Sequence, residues 1–363
     1  MKFRNLDIVI LGLSITSSWG NGHATTYRSL VKELSARGHN ILFLERDLPW
    51  YASNRDMPHP PYGCTEIYSS FEELTDKFSI NIRKADLVIV GSYVPEGVRV
   101  GKWVTSDAEG KTAFYDIDTP VTLAKLQNKD YEYIDPELIT LYDLYLSFTG
   151  GPILELLQAV HGSPMARALY CSIDPKQYYP ETIDINYDLG YIGTYSDDRQ
   201  PALEGLMLNA ARQWKEGRFI VAGPQYPDSV KWPSNVDRIY HLPPADHRKF
   251  YNSQRFTLNI TRQNMIKAGY SPSVRLFEAA ACGIPVISDY WKGLDELFTL
   301  GKEILISGSF KETLSFLKNC SEEQRQKIGQ RARERVLSHH TSAHRAEKLE
   351  LYILELFQKK KAK

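Results

Sequence analysis

The feature that most constrains this chain is an alternation that runs twice. Short apolar runs at 7–13, 40–45, 86–91 and 112–118 are separated by stretches such as 24–37 and 71–84, which carry apolar residues at three- and four-residue spacing. Period-2 runs interleaved with period-3.6 segments are what βαβ units with a parallel sheet require. The cycle restarts after residue 187, with strands expected at 188–194, 218–223, 237–242, 256–261, 285–289 and 302–307. Helices are expected at 200–213, 246–252, 273–282 and 310–318, and from 322 to 357 with a break at His339-His340-Thr341. Gly38, just past the first helical stretch, reads as its C′ residue.

At 363 residues the chain exceeds what one core serves and suits two domains with a cleft between them. The expected division is 1–173, a polar linker at 174–187, a second domain over 188–340, and a returning helix at 341–363. That last segment places Leu349, Tyr352, Ile353, Leu356 and Phe357 on one side, suited to packing back on the first domain. A homodimer interface is the rival reading of the same face.

Residues 47–66, rich in Pro, Gly and aromatics, read as a long functional loop at the mouth of the cleft. Lys plus Arg and Asp plus Glu both number 44, so bulk charge points to no nucleic-acid partner. The basic run 359–363 reads as a solvated helix end, with membrane-surface contact as the alternative. Cys64, Cys171, Cys282 and Cys320 lie far apart, without metal-site or disulfide spacing, and suit a cytoplasmic protein. The start leads into only about seven apolar residues, too few for a signal sequence. No window approaches the roughly 18 apolar residues of an integral membrane segment.

Ligands of open α/β sheets bind beyond the carboxyl ends of the strands. The first such loop holds Gly20, Asn21 and Gly22 ahead of His23, a glycine-rich entry to a helix that could receive an anion or be a simple turn and cap. The segment YDIDTP at 115–120 leaves three readings open: a helix start capped by Asp118 or Thr119 with Pro120 at N1, an acceptor-binding carboxylate, and a metal site in which Asp116 and Asp118 share a face.

The densest constellation is 271–289, SPSVRLFEAAACGIPVISD. Its start supplies a cap and free amides for a diphosphate, with the helix dipole behind them. Arg275 adds charge on the first turn, and Glu278, one turn deeper, can accept two vicinal ribose hydroxyls. Each feature alone is also what an ordinary capped helix with an Arg/Glu pair would show.

The stretch 273–285 resembles the donor-binding signature of GT-B glycosyltransferases. Together with YIGTYS at 191–196, WPSNV at 232–236, LNITR at 258–262 and GYSPS at 269–273, it resembles the CgeB-like proteins, a likeness covering almost the whole chain. The resemblance implies a GT-B α/β fold, with two Rossmann-like doubly wound parallel-sheet domains and C-terminal helices packing back on the first. It implies transfer of a hexose-like sugar from a nucleoside-diphosphate sugar, a UDP-sugar among the candidates, to a glycan, small-molecule or protein acceptor. On this basis Ser271, Ser273, Val274 and Arg275 meet the diphosphate, Glu278 grips the ribose, and Gly193, Thr194 and Arg199 approach the phosphates. His241 and Leu242 lie by position near the nucleobase.

Arg262 joins the arginines that would stabilise the leaving diphosphate without a metal or other cofactor. His23 and Asp118 are the candidates for binding acceptor or sugar, or for taking the acceptor proton. The paired-glutamate signature is broken, because Tyr270 stands eight positions before Glu278. Two further classes stay open: a nucleotide-sugar 2-epimerase, and a non-catalytic nucleotide-sugar-binding or envelope-assembly protein. A dinucleotide oxidoreductase is disfavoured by the lack of GxGxxG followed by an acidic residue.

Overall fold

The computed structural model describes residues 4–20 and 22–359; Asn21 of the glycine-rich loop, residues 1–3 and residues 360–363 of the basic run lie outside the described residues. The chain forms two compact units, residues 1–172 with 342–363 and residues 173–341.

The first unit holds a seven-stranded, wholly parallel sheet. Its strands are β1 (Asp7–Gly12), β2 (Asn40–Arg46), β3 (Cys64–Tyr68), β4 (Leu87–Gly91), β5 (Lys111–Asp116), β6 (Leu144–Ser147) and β7 (Ala166–Ala168), in the order β3-β2-β1-β4-β5-β6-β7. Register is set by continuous apolar runs, Ile8 and Ile10 facing Leu87 and Ile89 across β1 and β4. Helices on both faces bury those runs, with Leu11, Val88, Val90, Phe114, Leu138 and Tyr145 in one core. The order reverses between β1 and β4, which makes that gap the switch point of the sheet.

The expected loop at 47–66 is only partly a loop. A short helix, Pro49–Ala52, opens it, and β3 begins at Cys64 and pairs with Leu42 onward of β2. β3 is an edge strand buried on one side only, so it lacks the apolar run that marks the central strands. Helix His23–Ala36 ends as expected, with Gly38 at φ +96° and its amide bonded to the Ser35 carbonyl.

The last helix, Ser342–Lys359, belongs to the first unit and packs on helix His23–Ala36. Leu349, Ile353 and Leu356 are buried. Two polar clamps fix its register. Buried Arg345 donates to the carbonyls of Tyr170 (3.0 Å) and Cys171 (3.2 Å). Glu350 accepts from Arg37 Nε at 2.8 Å and from His39 Nε2 at 2.9 Å, while the Leu6 amide donates to His39 Nδ1 at 3.2 Å, which places the ring proton on Nε2.

The second unit holds a six-stranded parallel sheet of β8 (Tyr187–Ile192), β9 (Phe219–Ala222), β10 (Val236–Ile239), β11 (Gln254–Asn259), β12 (Val286–Ser288) and β13 (Leu305–Ile306), in the order β10-β9-β8-β11-β12-β13. Its switch point lies between β8 and β11. Leu189, Val221, Phe256, Leu258 and Ile287 form the core, covered by Leu203, Met207 and Leu317. The helix over 200–213 runs through a π-helical turn at Glu204–Leu208, which contains Gly205. Residues 174–187, expected as a linker, are strapped to this unit: Asn252 accepts from the Glu181 amide at 2.9 Å and donates to the Tyr179 carbonyl at 3.1 Å. Among the described residues no helix is long and apolar enough to cross a membrane.

Candidate nucleotide-sugar site

In the second unit, helix Val274–Ala281 starts beside the switch point, and Arg275 spans it. Its guanidinium donates from Nε to the Ile192 carbonyl at the end of β8 (2.6 Å) and from Nη1 to Asn259 Oδ1 at the end of β11 (2.7 Å). Nη2 lies beside Gly193, where a Cβ would stand 3.2 Å from it and only 2.5 Å from the Tyr191 hydroxyl, so the Tyr191 ring leaves no room for a side chain there. The Tyr191 ring sits under the guanidinium at 4.9 Å.

Ser273 occupies the N-cap position in extended conformation, yet its side chain does not cap the helix. The hydroxyl turns instead to Asn259 Oδ1 at 2.7 Å, the oxygen that also receives Arg275. This corrects the capping expectation. It also leaves the first-turn amides of Val274 and Arg275 without a cap from this side chain, while the Leu276 amide bonds to the Ser273 carbonyl at 3.2 Å. Ser271 is buried just ahead of this turn.

Glu278 is buried and already partnered: its oxygens accept from Tyr178 and Tyr251, each at 2.8 Å, and His247 Nδ1 stands 3.7 Å away. Burial raises the carboxyl, but His247 and the two tyrosine hydroxyls outweigh it and hold it below its ordinary value. A ribose would have to meet the lone pairs these partners leave. His247 Nε2 also reaches the Leu242 carbonyl at 3.2 Å, tying the loop of half-buried Leu242 and exposed His241 to the same cluster.

Arg199 folds onto its own loop, donating to the Thr194 carbonyl at 2.6 Å, and its buried Nε has no partner among the described residues. Arg262 stands 3.8 Å from Asp198. Burial raises Asp198, and the Ser196 hydroxyl, the Gln263 amide and the nearby arginines bring it below its ordinary value. An acidic group thus accompanies the expected cationic cluster. Tyr270 has a left-handed backbone (φ +50°), and its amide bonds to the Lys292 carbonyl at 2.6 Å.

In the first unit, Gly20 (φ +60°) and Gly22, the N-cap of helix His23–Ala36, are exposed, with nothing within 4 Å of where a Cβ would stand. The loop before them is buttressed by groups the sequence did not single out. Buried Glu45 accepts from Ser14 Oγ (2.9 Å), the Ile15 and Thr16 amides (2.7 and 3.0 Å) and Thr16 Oγ1 (2.6 Å). Asp56 takes both ends of the Arg28 fork at 2.8 and 2.9 Å and also the Ser18 amide and hydroxyl.

The two aspartates of YDIDTP part company. Asp116, at the end of β5, is wholly buried and accepts from Tyr145 (2.5 Å), Thr122 (2.8 Å) and the Asp118 amide (3.2 Å); burial pushes it up to about 6 despite these bonds. Asp118 stands at the N-cap of helix Thr119–Gln127, with Pro120 as the second helical residue, and makes no side-chain cap. Its Oδ2 accepts from Tyr93 at 3.0 Å and faces His23 Nε2 at 3.8 Å. The shared metal face is therefore not formed, and among the described residues no three His, Cys, Asp or Glu side chains are grouped to hold an ion. His23 and Asp118, unlike Asp116, do come together.

Two switch-point sheets of this build, one in each unit, define the class: the fold is GT-B. Solved structures of that fold align over nearly the entire chain. They include HepE of Anabaena in complex with UDP and glucose (TM-score 0.73, 15% identity, covering 97% of this chain and 100% of that chain). Sucrose-phosphate synthase from Thermosynechococcus elongatus aligns at TM-score 0.70 and 14% identity, covering 97% and 99%. An alpha-glucosyltransferase in complex with UDP-glucose and DNA aligns at 0.72 and 12%, covering 96% and 100%. Residues 199–350, the stretch holding Arg275 and Glu278, match the family model described as glycosyl transferase-like. No curated protein matches the chain by sequence.

Proposed function

We propose that this protein is a glycosyltransferase that moves a sugar from a nucleoside-diphosphate sugar to an acceptor hydroxyl, without a metal. One observation carries the reading. Arg275 fastens the ends of β8 and β11 beneath a helix N-terminus whose cap residue, Ser273, has turned away. Positive charge and open amides are thereby fixed where the leaving diphosphate gathers charge. Each such preorganised donor is worth roughly 2.7–4 kcal/mol in the transition state. Arg199, with its unpartnered buried Nε, and Arg262 are assigned to the same phosphates.

In the reaction the bond from the anomeric carbon to the phosphate oxygen breaks and one to the acceptor oxygen forms. The acceptor proton leaves to a base or to the departing phosphate. His23, beside Asp118, is assigned to the acceptor. UDP-sugars come first among donors because HepE and the alpha-glucosyltransferase are solved with UDP or UDP-glucose. The CgeB-like branch is the finer family reading, carried by the motifs quoted above.

A non-catalytic nucleotide-sugar binder is the second reading, favoured by the sealing of Glu278 under Tyr178 and Tyr251 and by Tyr270 in place of a carboxylate. Hydrolysis and transfer assays with UDP-, GDP-, ADP- and TDP-sugars separate the two. Release of nucleoside diphosphate supports transfer, an isomerised donor identifies an epimerase, and tight binding without turnover favours the binder.

A further inference from the structure

His23 and Asp118 come from the loops after β1 and β5, and the loop after β4 lies between them. Its residue Tyr93 is one of the few non-glycine residues with a left-handed backbone, at φ +66°. A large aromatic residue rarely adopts that conformation unless its surroundings impose it, and such outliers gather where a side chain must be aimed. Here the backbone turn sends the phenol hydroxyl to Asp118 Oδ2 at 3.0 Å, while the ring lies 5.7 Å from the His23 imidazole and 4.8 Å from Tyr133. The same Asp118 oxygen faces His23 Nε2 at 3.8 Å, a charge contact longer than a hydrogen bond. Asp118 is thus steered by its neighbour rather than by its helix, whose amides it does not cap.

We infer that Tyr93 is a positioning residue: its hydroxyl holds the Asp118 carboxylate toward His23, so that three loops at the switch point of the first sheet form one acid–imidazole–phenol unit for the acceptor. The inference rests on the transferase reading for its purpose and on the geometry alone for its existence. Burial and the nearby Asp118 charge keep the Tyr93 phenol protonated, so it can only donate to that carboxylate. The titratable groups around the unit are Asp118, Tyr93, Tyr133 and, behind them, Asp116.

The test uses the full-length protein as Tyr93→Phe, Asp118→Asn and the double variant. Phe keeps the ring against Tyr133 and removes only the hydroxyl. Tyr93→Phe is expected to lower kcat about tenfold while donor KM stays near wild type, a fraction of what acid–base assistance contributes. The double variant should lose no more than Asp118→Asn alone, as expected of residues acting as a unit. Independently of turnover, the His23 imidazole followed by NMR should titrate lower in Tyr93→Phe, because Asp118 is no longer held toward the imidazolium its charge favours.

Fully additive losses would overturn the inference, and so would an unchanged kcat. If wild-type protein turns over no donor, the transferase reading fails, and the NMR titration decides alone. A lowered His23 midpoint then keeps Tyr93 in its role, and an unmoved or raised one removes it.

Discussion

Arg275 and Ser273 share a single acceptor, Asn259 Oδ1, each at 2.7 Å. Removing the guanidinium frees the end of β8 from the end of β11 and withdraws the charge expected at the diphosphate. Arg275→Ala should lower kcat/KM by about 10²–10³, the cost of one preorganised transition-state donor. Arg275→Lys should not restore it, since an ammonium lacks the fork that meets the Ile192 carbonyl and Asn259 together. Steady-state kinetics, with calorimetric titration of the nucleoside diphosphate, checks both.

Glu278→Ala should destabilise the protein before any donor is added. Two buried tyrosine hydroxyls, of Tyr178 and Tyr251, would lose their acceptor at about 1–3 kcal/mol each. Glu278→Gln, which keeps one carbonyl oxygen, should lose less. Calorimetric melts of the unliganded proteins measure this apart from any effect on ribose binding.

Asp56 gives a pH signature. Burial raises its carboxyl, but Arg28 and Ser18 bring it from its ordinary 3.8 to about 2. A group depressed on folding contributes stability that is complete above its unfolded pKa and fades as pH falls toward its folded one. Wild type should therefore exceed Asp56→Asn in stability at neutral pH, with the gap closing between about pH 4 and pH 2. Denaturant midpoints across that range test it, and a gap that widens on acidification would contradict it.

Much of the architecture was legible because central strands of a doubly wound sheet are written as uninterrupted apolar runs: β1, β2, β4 and β5 fall within a residue or two of their expected places. β3 was not, since an edge strand buried on one side carries no such run, and residues 119–171 hold only short elements, none longer than nine residues. The site divides the same way. Arg275, Ser273 and Glu278 stood out by helical spacing around a polar start. Asn259, Tyr178, Tyr251 and Tyr93 did not, because they reach the site only through tertiary approach from other elements and loops. The capping expectations for Ser273 and Asp118 failed for one physical reason: each side chain found a partner on a neighbouring strand end, Asn259 in one case and Tyr93 in the other, that local sequence cannot display.

Glu350 closes the first unit around its last helix. Glu350→Ala removes the acceptor of Arg37 and His39, both drawn from the turn after helix His23–Ala36. Because the pair is only partly shielded on the Arg37 side, the loss should be about 2–3 kcal/mol, below that of a fully buried pair. Deleting residues 342–363 should be far worse, exposing the surface that Leu349 and Ile353 cover. Thermal melts of the two variants should rank them in that order.

Turnover should be indifferent to chelation, because the charge at the leaving group is assigned to Arg275, Arg199 and helix amides. Assays with and without EDTA should agree; activity lost in EDTA and restored by manganese would contradict the assignment.

The most direct test of the central claim is a crystal structure of the protein with UDP bound. The diphosphate is expected within hydrogen-bonding distance of the Val274 and Arg275 amides, with Arg275 Nη2 turned to it beside Gly193. A nucleotide lodged elsewhere, with that helix terminus untouched, would contradict it.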